Sequence, residues 1–220
     1  MAKEQLVGLL THSNREEGHQ HPALLHAILG TVEAIQGAAT KRTQIVAAAL
    51  QHYRVFGVGG TTLKDVSEAS AVPLGNLYYY FKTRNELALA VLDECEHELR
   101  TLLQRLAPLA PAAWLSTYFE WLLADPDAAA RLGCPFGALA LELRALHDPA
   151  AERAAEIVSI YFGALEAQMN ALHLPAAAAE DLFIAVQGAY TVARVKGDAA
   201  FFQVSVQRLR DRTMSLIGAT

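Results

Sequence analysis

Between Leu74 and Arg84 the chain reads L-G-N-L-Y-Y-Y-F-K-T-R, an amide, three phenols, a hydroxyl and two cations within eleven residues. Amides and phenols hydrogen-bond to base edges and phosphate oxygens, and Lys and Arg neutralise phosphate charge. At about 100° per residue, Leu77 and Phe81 share one face of a helix. Gly75 and Tyr79 then point away from that face, flanked by Asn76, Tyr78 and Lys82. Three consecutive tyrosines, Tyr78 to Tyr80, spread over about 200°, so at least one phenol must face outward. A glycine on this surface lets the backbone approach a partner closely, while Lys82, Thr83 and Arg84 fall where a sugar-phosphate strand would pass the helix end. This is the layout of a helix that enters a DNA major groove.

Such a helix needs two others to hold it. The spacing of Ile45, Ala49, His52 and Phe56 predicts a first helix from about Lys41 to Phe56, with Thr40 as its cap and Gly57 and Gly59 as its stop. Thr62 is placed to cap a second, with Leu63, Val66 and Ser70 on its inner side. Ala71-Val72-Pro73 makes the turn, Pro73 suits the first position of the third helix, and Leu74 to Phe81 completes it. Lys41, Arg42, Thr62 and Lys64 are candidates to grip the opposite side of the groove.

The charge distribution supports this reading. The whole chain of 220 residues carries −5, but between residues 40 and 90 six cations stand against three anions. Sequence-independent attraction to phosphates therefore belongs to one basic module in an otherwise acidic chain. Hydrophobic residues make up 53% of the sequence, enough for a core, and no alternating β-branched runs or Asn-Gly hairpin turns occur, which predicts an all-α fold. No stretch reaches the roughly 18 apolar residues of a membrane span. The five-residue apolar patch near the start is too short for a secretory signal, so cytoplasmic residence is expected. Cys95 and Cys134 lack paired spacing and are expected as reduced thiols. GxSxG, HExxH and Gly-rich phosphate loops are missing, so no enzyme and no cofactor is expected, and an enzyme built on a helical bundle stands as an alternative with no motif behind it.

The head residues resemble the TetR/AcrR-type transcriptional regulators. The resemblance rests on Phe56, Gly60, Thr61, Thr62, Leu63, Val66, Ala69, Leu77, Tyr78, Phe81, Lys82, Arg84, Glu86 and Leu87, over about 50 residues. Pro73 departs from the family pattern, as does Leu74, which the resemblance assigns to base contact and the helical projection to the core side. The implied organisation is an N-terminal extension (1–39) with one helix on the stripe Leu24, Ile28, Val32 and Ile35, a DNA-binding domain (40–99, motif 62–81), and a helical ligand-binding and dimerisation domain (100–220). Breaks at Pro108, Pro111, Asp125-Pro126-Asp127, Gly133 to Pro135, Asp148-Pro149, Pro175 and Gly197-Asp198 predict six further helices: 85–107, 112–124, 136–147, 150–173, 176–196 and 199–217.

The resemblance further implies a homodimer, a double-stranded DNA operator and a small-molecule effector that releases a repressor. The last two helices would pair across a two-fold axis through Gly188, Ala189, Ala193, Phe202, Val206, Leu209 and Met214. Trp114, Tyr118, Trp121, Cys134, Phe136, Tyr161, Phe162, Met169 and Tyr190 are candidates to line an effector cavity, with Glu142, Arg144 and His147 as polar anchors. Cys134, in Gly133-Cys134-Pro135-Phe136-Gly137, precedes a predicted helix whose dipole would lower its thiol pKa, so a thiol- or metal-responsive regulator is the alternative. His12, His19, His21 and His26 are loosely spaced, and Asp93, Cys95 and His97 belong to the acidic run D-E-C-E-H-E on a helix, so solvated polar faces are expected for both and not a metal site.

Overall fold

Residues 41–175 and 177–218 are described by the computed structural model, and ten helices run through them. The helix expected around Leu24 to Ile35, the cap at Thr40 and the four N-terminal histidines lie outside the described residues.

Helix α1 (Lys41–Phe56) ends at Gly57, whose φ of 79° suits a residue without a Cβ. Its inner face is Ile45, Val46, Ala49, Leu50 and Tyr53, rotated from the expected stripe. Phe56 is 62% exposed, with its ring tilted against that of His52 at 5.3 Å. Helix α2 (Leu63–Ser70) starts at a complete capping box, in which Thr62 Oγ1 accepts from Asp65 N–H and the Asp65 carboxylate accepts from Thr62 N–H. It ends at Ala71 in the left-handed region, and Ser67 Oγ donates to the Val72 carbonyl to close the turn. Helix α3 (Leu74–Tyr80) is capped by Pro73 and not begun by it: the Pro73 carbonyl accepts from Asn76 and Leu77 N–H, which makes Leu74 the first helical residue.

Helix α4 (Arg84–Leu106) starts at Thr83, whose hydroxyl accepts from Glu86 N–H while the Glu86 carboxylate accepts from Lys82 N–H. It packs on α1 and also on α5 (Pro111–Leu122) and α8 (Ala151–Ala171), so the boundary expected at 99/100 falls inside one continuous helix. Arg54 of α1 pairs with Glu98 of α4, and Arg54 is 14% exposed. Burial works against its charge, and Glu98 outweighs that cost.

The remaining elements are α6 (Pro126–Leu132), α7 (Ala138–Ala145), α9 (Ala177–Lys196) and α10 (Ala199–Gly218). Helix α6 replaces an expected break. Asp125 caps it by accepting from Ala128 N–H, and Pro126 takes the first turn, so the Asp-Pro pair starts a helix where it was read as ending one. Seven helices therefore follow the head, not six. Helices α9 and α10 pack on each other within the subunit, and a single hydrophobic core runs from Ile45 to Val206.

Candidate nucleic-acid interface

Helix α3 is held by one residue facing inward. Leu77 is fully buried and the following Phe81 nearly so, while Tyr79 is 73% and Tyr78 47% exposed. Gly75 and Asn76 are exposed, and a Cβ built at Gly75 would meet nothing within 4 Å. Among the described residues, none therefore obstructs a close approach to the backbone at Gly75. Leu74 is 37% exposed, on the outward side of the question that projection left open.

Cations gather at the end of α3. Lys82 Nζ stands 5.6 Å from the Tyr79 ring centre, and the Arg42 guanidinium 5.2 Å from that of Phe81, so the start of α1 lies beside the end of α3. Lys41 and Lys64 are exposed, and Lys64 lies 3.8 Å from Glu68 on the same helix. Other expected contacts have structural employment as well. Thr62 and Thr83 are exposed but their hydroxyls cap α2 and α4, and the Arg84 guanidinium donates to the Val58 carbonyl. These roles were unreadable from the sequence for Arg84, since Val58 is 26 positions away.

The expected effector residues come together in the body. The Trp114 and Tyr118 rings stack at 5.5 Å, those of Trp121 and Phe136 at 6.1 Å, and Phe136 meets Tyr161 edge-on at 5.6 Å. The hydroxyls of Tyr118 and Tyr161 share a buried hydrogen bond of 2.6 Å, and burial pushes both phenols up. Tyr190, its phenol also raised by burial, packs on Phe202 at 4.5 Å. Phe183, not among the expected residues, closes the set against Tyr161 and Phe162. Open grooves of about 720 and 360 Å³ run along α10.

Cys134 is buried, and burial pushes its thiol up even though N–H groups of Phe136 and Gly137 pull the other way. This is the opposite of the dipole-lowered thiol expected of a sensor, because desolvation outweighs the helix start. Among the expected anchors, Glu142 accepts from Gly59 N–H at 2.8 Å, Arg144 pairs with Glu152, and His147 is a left-handed residue ending α7. Asp93 is engaged by Arg153 and Cys95 is buried, and no group of three potential metal ligands converges among the described residues. No described helix is long and apolar enough to cross a membrane.

The faces of α9 and α10 differ from expectation. Ala189, Ala193, Phe202 and Val206 are buried inside the subunit. What α9 leaves outside is Ile184, Val192 and Val195, with Gly188 between them, and α10 leaves Val204 and Leu216.

Residues 45–91 match the model of bacterial regulatory proteins, tetR family. The chain is 32% identical over 113 residues to an uncharacterised HTH-type transcriptional regulator in the lacX 3′ region of Lactococcus lactis, covering 49% of this chain and 57% of that protein. It is 33% identical over 88 residues to the HTH-type transcriptional regulator RutR of Escherichia coli K12, covering 38% and 42%. The chain thus spans about half the length of these relatives. The crystal structure of a TetR transcriptional regulator from Legionella pneumophila shares the fold, with a TM-score of 0.69 at 18% identity over 80% of this chain and 98% of that one. Residues 45–91 are thus a head of the tetR family of bacterial regulatory proteins, joined through α4 to a helical body that shares the fold of a solved TetR transcriptional regulator.

Proposed function

We propose that the chain is a homodimeric, cytoplasmic repressor that holds operator DNA through α2 and α3 and releases it when a small molecule binds the body. Residues 40–99 serve as the head and 100–220 as the effector and dimer domain. The observation that carries this reading is the outward surface Gly75, Asn76, Tyr78 and Tyr79 on a helix whose inward side is locked by Leu77, with Arg42 and Lys82 at its end. Base edges would be read by Asn76, Tyr78 and Leu74, the last against a thymine methyl, and phosphates held by Lys41, Arg42, Lys64, Lys82 and Arg84.

The exposed apolar stripe Ile184, Gly188, Val192 and Val195 supports α9 as a subunit interface, because a contiguous apolar helix face in water favours association. Two heads at fixed spacing then read a palindromic site. The effector site is assigned to Trp114, Tyr118, Trp121, Cys134, Phe136, Tyr161 and Tyr190, where aromatic faces surround buried hydroxyls. An effector that binds the cluster only with its rings displaced shifts the population toward a head spacing that no longer fits DNA.

The test is selection from a random duplex library, followed by titration of the selected duplex between 50 and 200 mM salt. A retained, salt-sensitive duplex is expected, and failure to enrich any sequence refutes the reading.

A further inference from the structure

Resting on the DNA-binding assignment above, we propose that Glu142 is a positioning residue: from the body, its carboxylate holds the α1–α2 loop and so sets the pose of the DNA-facing head. The loop from Gly57 to Thr61 ties itself to the head at several points. Gly57 N–H donates to the Tyr53 carbonyl at 3.0 Å, Thr61 Oγ1 donates to the Gly57 carbonyl at 2.7 Å, and Arg84 reaches the Val58 carbonyl. Gly59 N–H donates outward instead, to Glu142 Oε1 at 2.8 Å across 83 positions of sequence.

The seat is shaped for a carboxylate. A methyl group at Gly57 would stand 2.6 and 2.9 Å from the two Glu142 oxygens, so the carboxylate would have to swing out of its seat to admit one. A methyl at Gly59 would meet Glu142 Oε1 at 3.5 Å and both Leu146 methyls at 3.8 Å, so the end of α7 straddles the loop. The loop leads directly into Thr62, the cap of α2, and α2 packs on α3.

Helix α7 also begins next to the aromatic cluster. Phe136 stands two residues before Ala138, stacked on Trp121 and against Tyr161, while Leu139 and Leu143 bury the inner side of α7. A displacement of Phe136 therefore moves the helix that carries Glu142. The body thus holds the head by a bond that is short, directional and, at a half-exposed carboxylate, easily broken.

Three proteins decide the matter: wild type, Glu142→Gln and Glu142→Ala, each titrated with the duplex that wild type selects. Both substitutions remove the same charge, but glutamine keeps a side-chain oxygen for Gly59 N–H, so their difference isolates the hydrogen bond. Glu142→Ala is expected to weaken Kd about fivefold with an unchanged salt slope and to speed amide exchange at Gly59 about tenfold, with Glu142→Gln within about twofold of wild type in both. If wild type binds and Glu142→Ala binds equally or more tightly, or Glu142→Gln is as weak as Glu142→Ala, the positioning role is overturned and the DNA assignment stands. If wild type selects no duplex, both fall.

Discussion

The hydroxyl of Tyr118 on α5 and that of Tyr161 on α8 face each other at 2.6 Å inside the body, 43 positions apart in sequence. Each satisfies the other in a place that water does not reach, and Phe136 and Phe183 close the ring around Tyr161. Tyr118→Phe leaves the Tyr161 hydroxyl buried and unpaired, at a cost of about 1–3 kcal/mol. The double variant Tyr118→Phe, Tyr161→Phe removes both polar ends and should recover most of that loss. Urea unfolding of the four proteins measures it, and additive losses would show that the pair is not mutually satisfying.

Leu77 and Tyr79 should separate stability from binding. Leu77 is fully buried, so Leu77→Ala should destabilise by about 2–5 kcal/mol. Tyr79 is mostly exposed, so Tyr79→Ala should change stability by less than about 0.5 kcal/mol while abolishing selection of the operator duplex. Lys82→Ala should lower the salt slope by about 1 at any sequence. Unaltered binding by Tyr79→Ala would remove that face from the interface.

Acid should act on the cap of α2. The Thr62 hydroxyl, and then its N–H, hold the Asp65 carboxyl below its usual range. A depressed carboxylate contributes stability that is complete above its unfolded value, about 3.9, and is lost as pH falls through its lower folded one. Thr62→Ala should lower the melting temperature near neutrality, because it removes the hydroxyl that caps α2. Its gap in melting temperature from wild type should narrow as pH drops from 6 to 3, and a constant gap would take Asp65 out of the account.

The two cysteines should be silent in the native protein. Burial pushes the Cys95 thiol up to about 12 and raises Cys134 as well. Ellman's reagent at pH 8 should titrate no thiol until guanidinium is added, after which two appear. Rapid reaction of either in native buffer would reinstate a sensor role.

Association should depend on the outer face of α9. Val195 is 83% and Ile184 60% exposed, and glutamate at either position should convert a dimer to a monomer in sedimentation without lowering the melting temperature of the subunit by more than a few degrees. A variant that stays dimeric would move the interface elsewhere.

Much of the head was legible because its signals are local. Thr62 was read as the cap of α2 and is one, by contacts with Asp65 inside one turn, whereas Thr83, read as a DNA contact, caps α4 in the same way. Leu77 and Phe81 declared the inner side of α3 by spacing alone. The body was less legible for physical reasons. In α9, alanines and apolar residues occur on every side, so the sequence did not distinguish Ala189 and Ala193, which are buried inside the subunit, from Val192 and Val195, which face water. Asp125-Pro126 was ambiguous because aspartate and proline both stop one helix and begin the next. Glu142 looked like a pocket anchor, since a lone carboxylate carries no mark of a partner 83 positions away.

Those separations have a consequence for the order of events during synthesis. The caps of α2 and α4 close within a few residues, so they can form as soon as that length of chain has emerged. Gly59 must wait for Glu142, which is made 83 residues later. A ribosome will thus display a DNA-shaped head well before the tie that restrains it exists, and pulsed hydrogen exchange during refolding should find the α2 amides protected before that of Gly59.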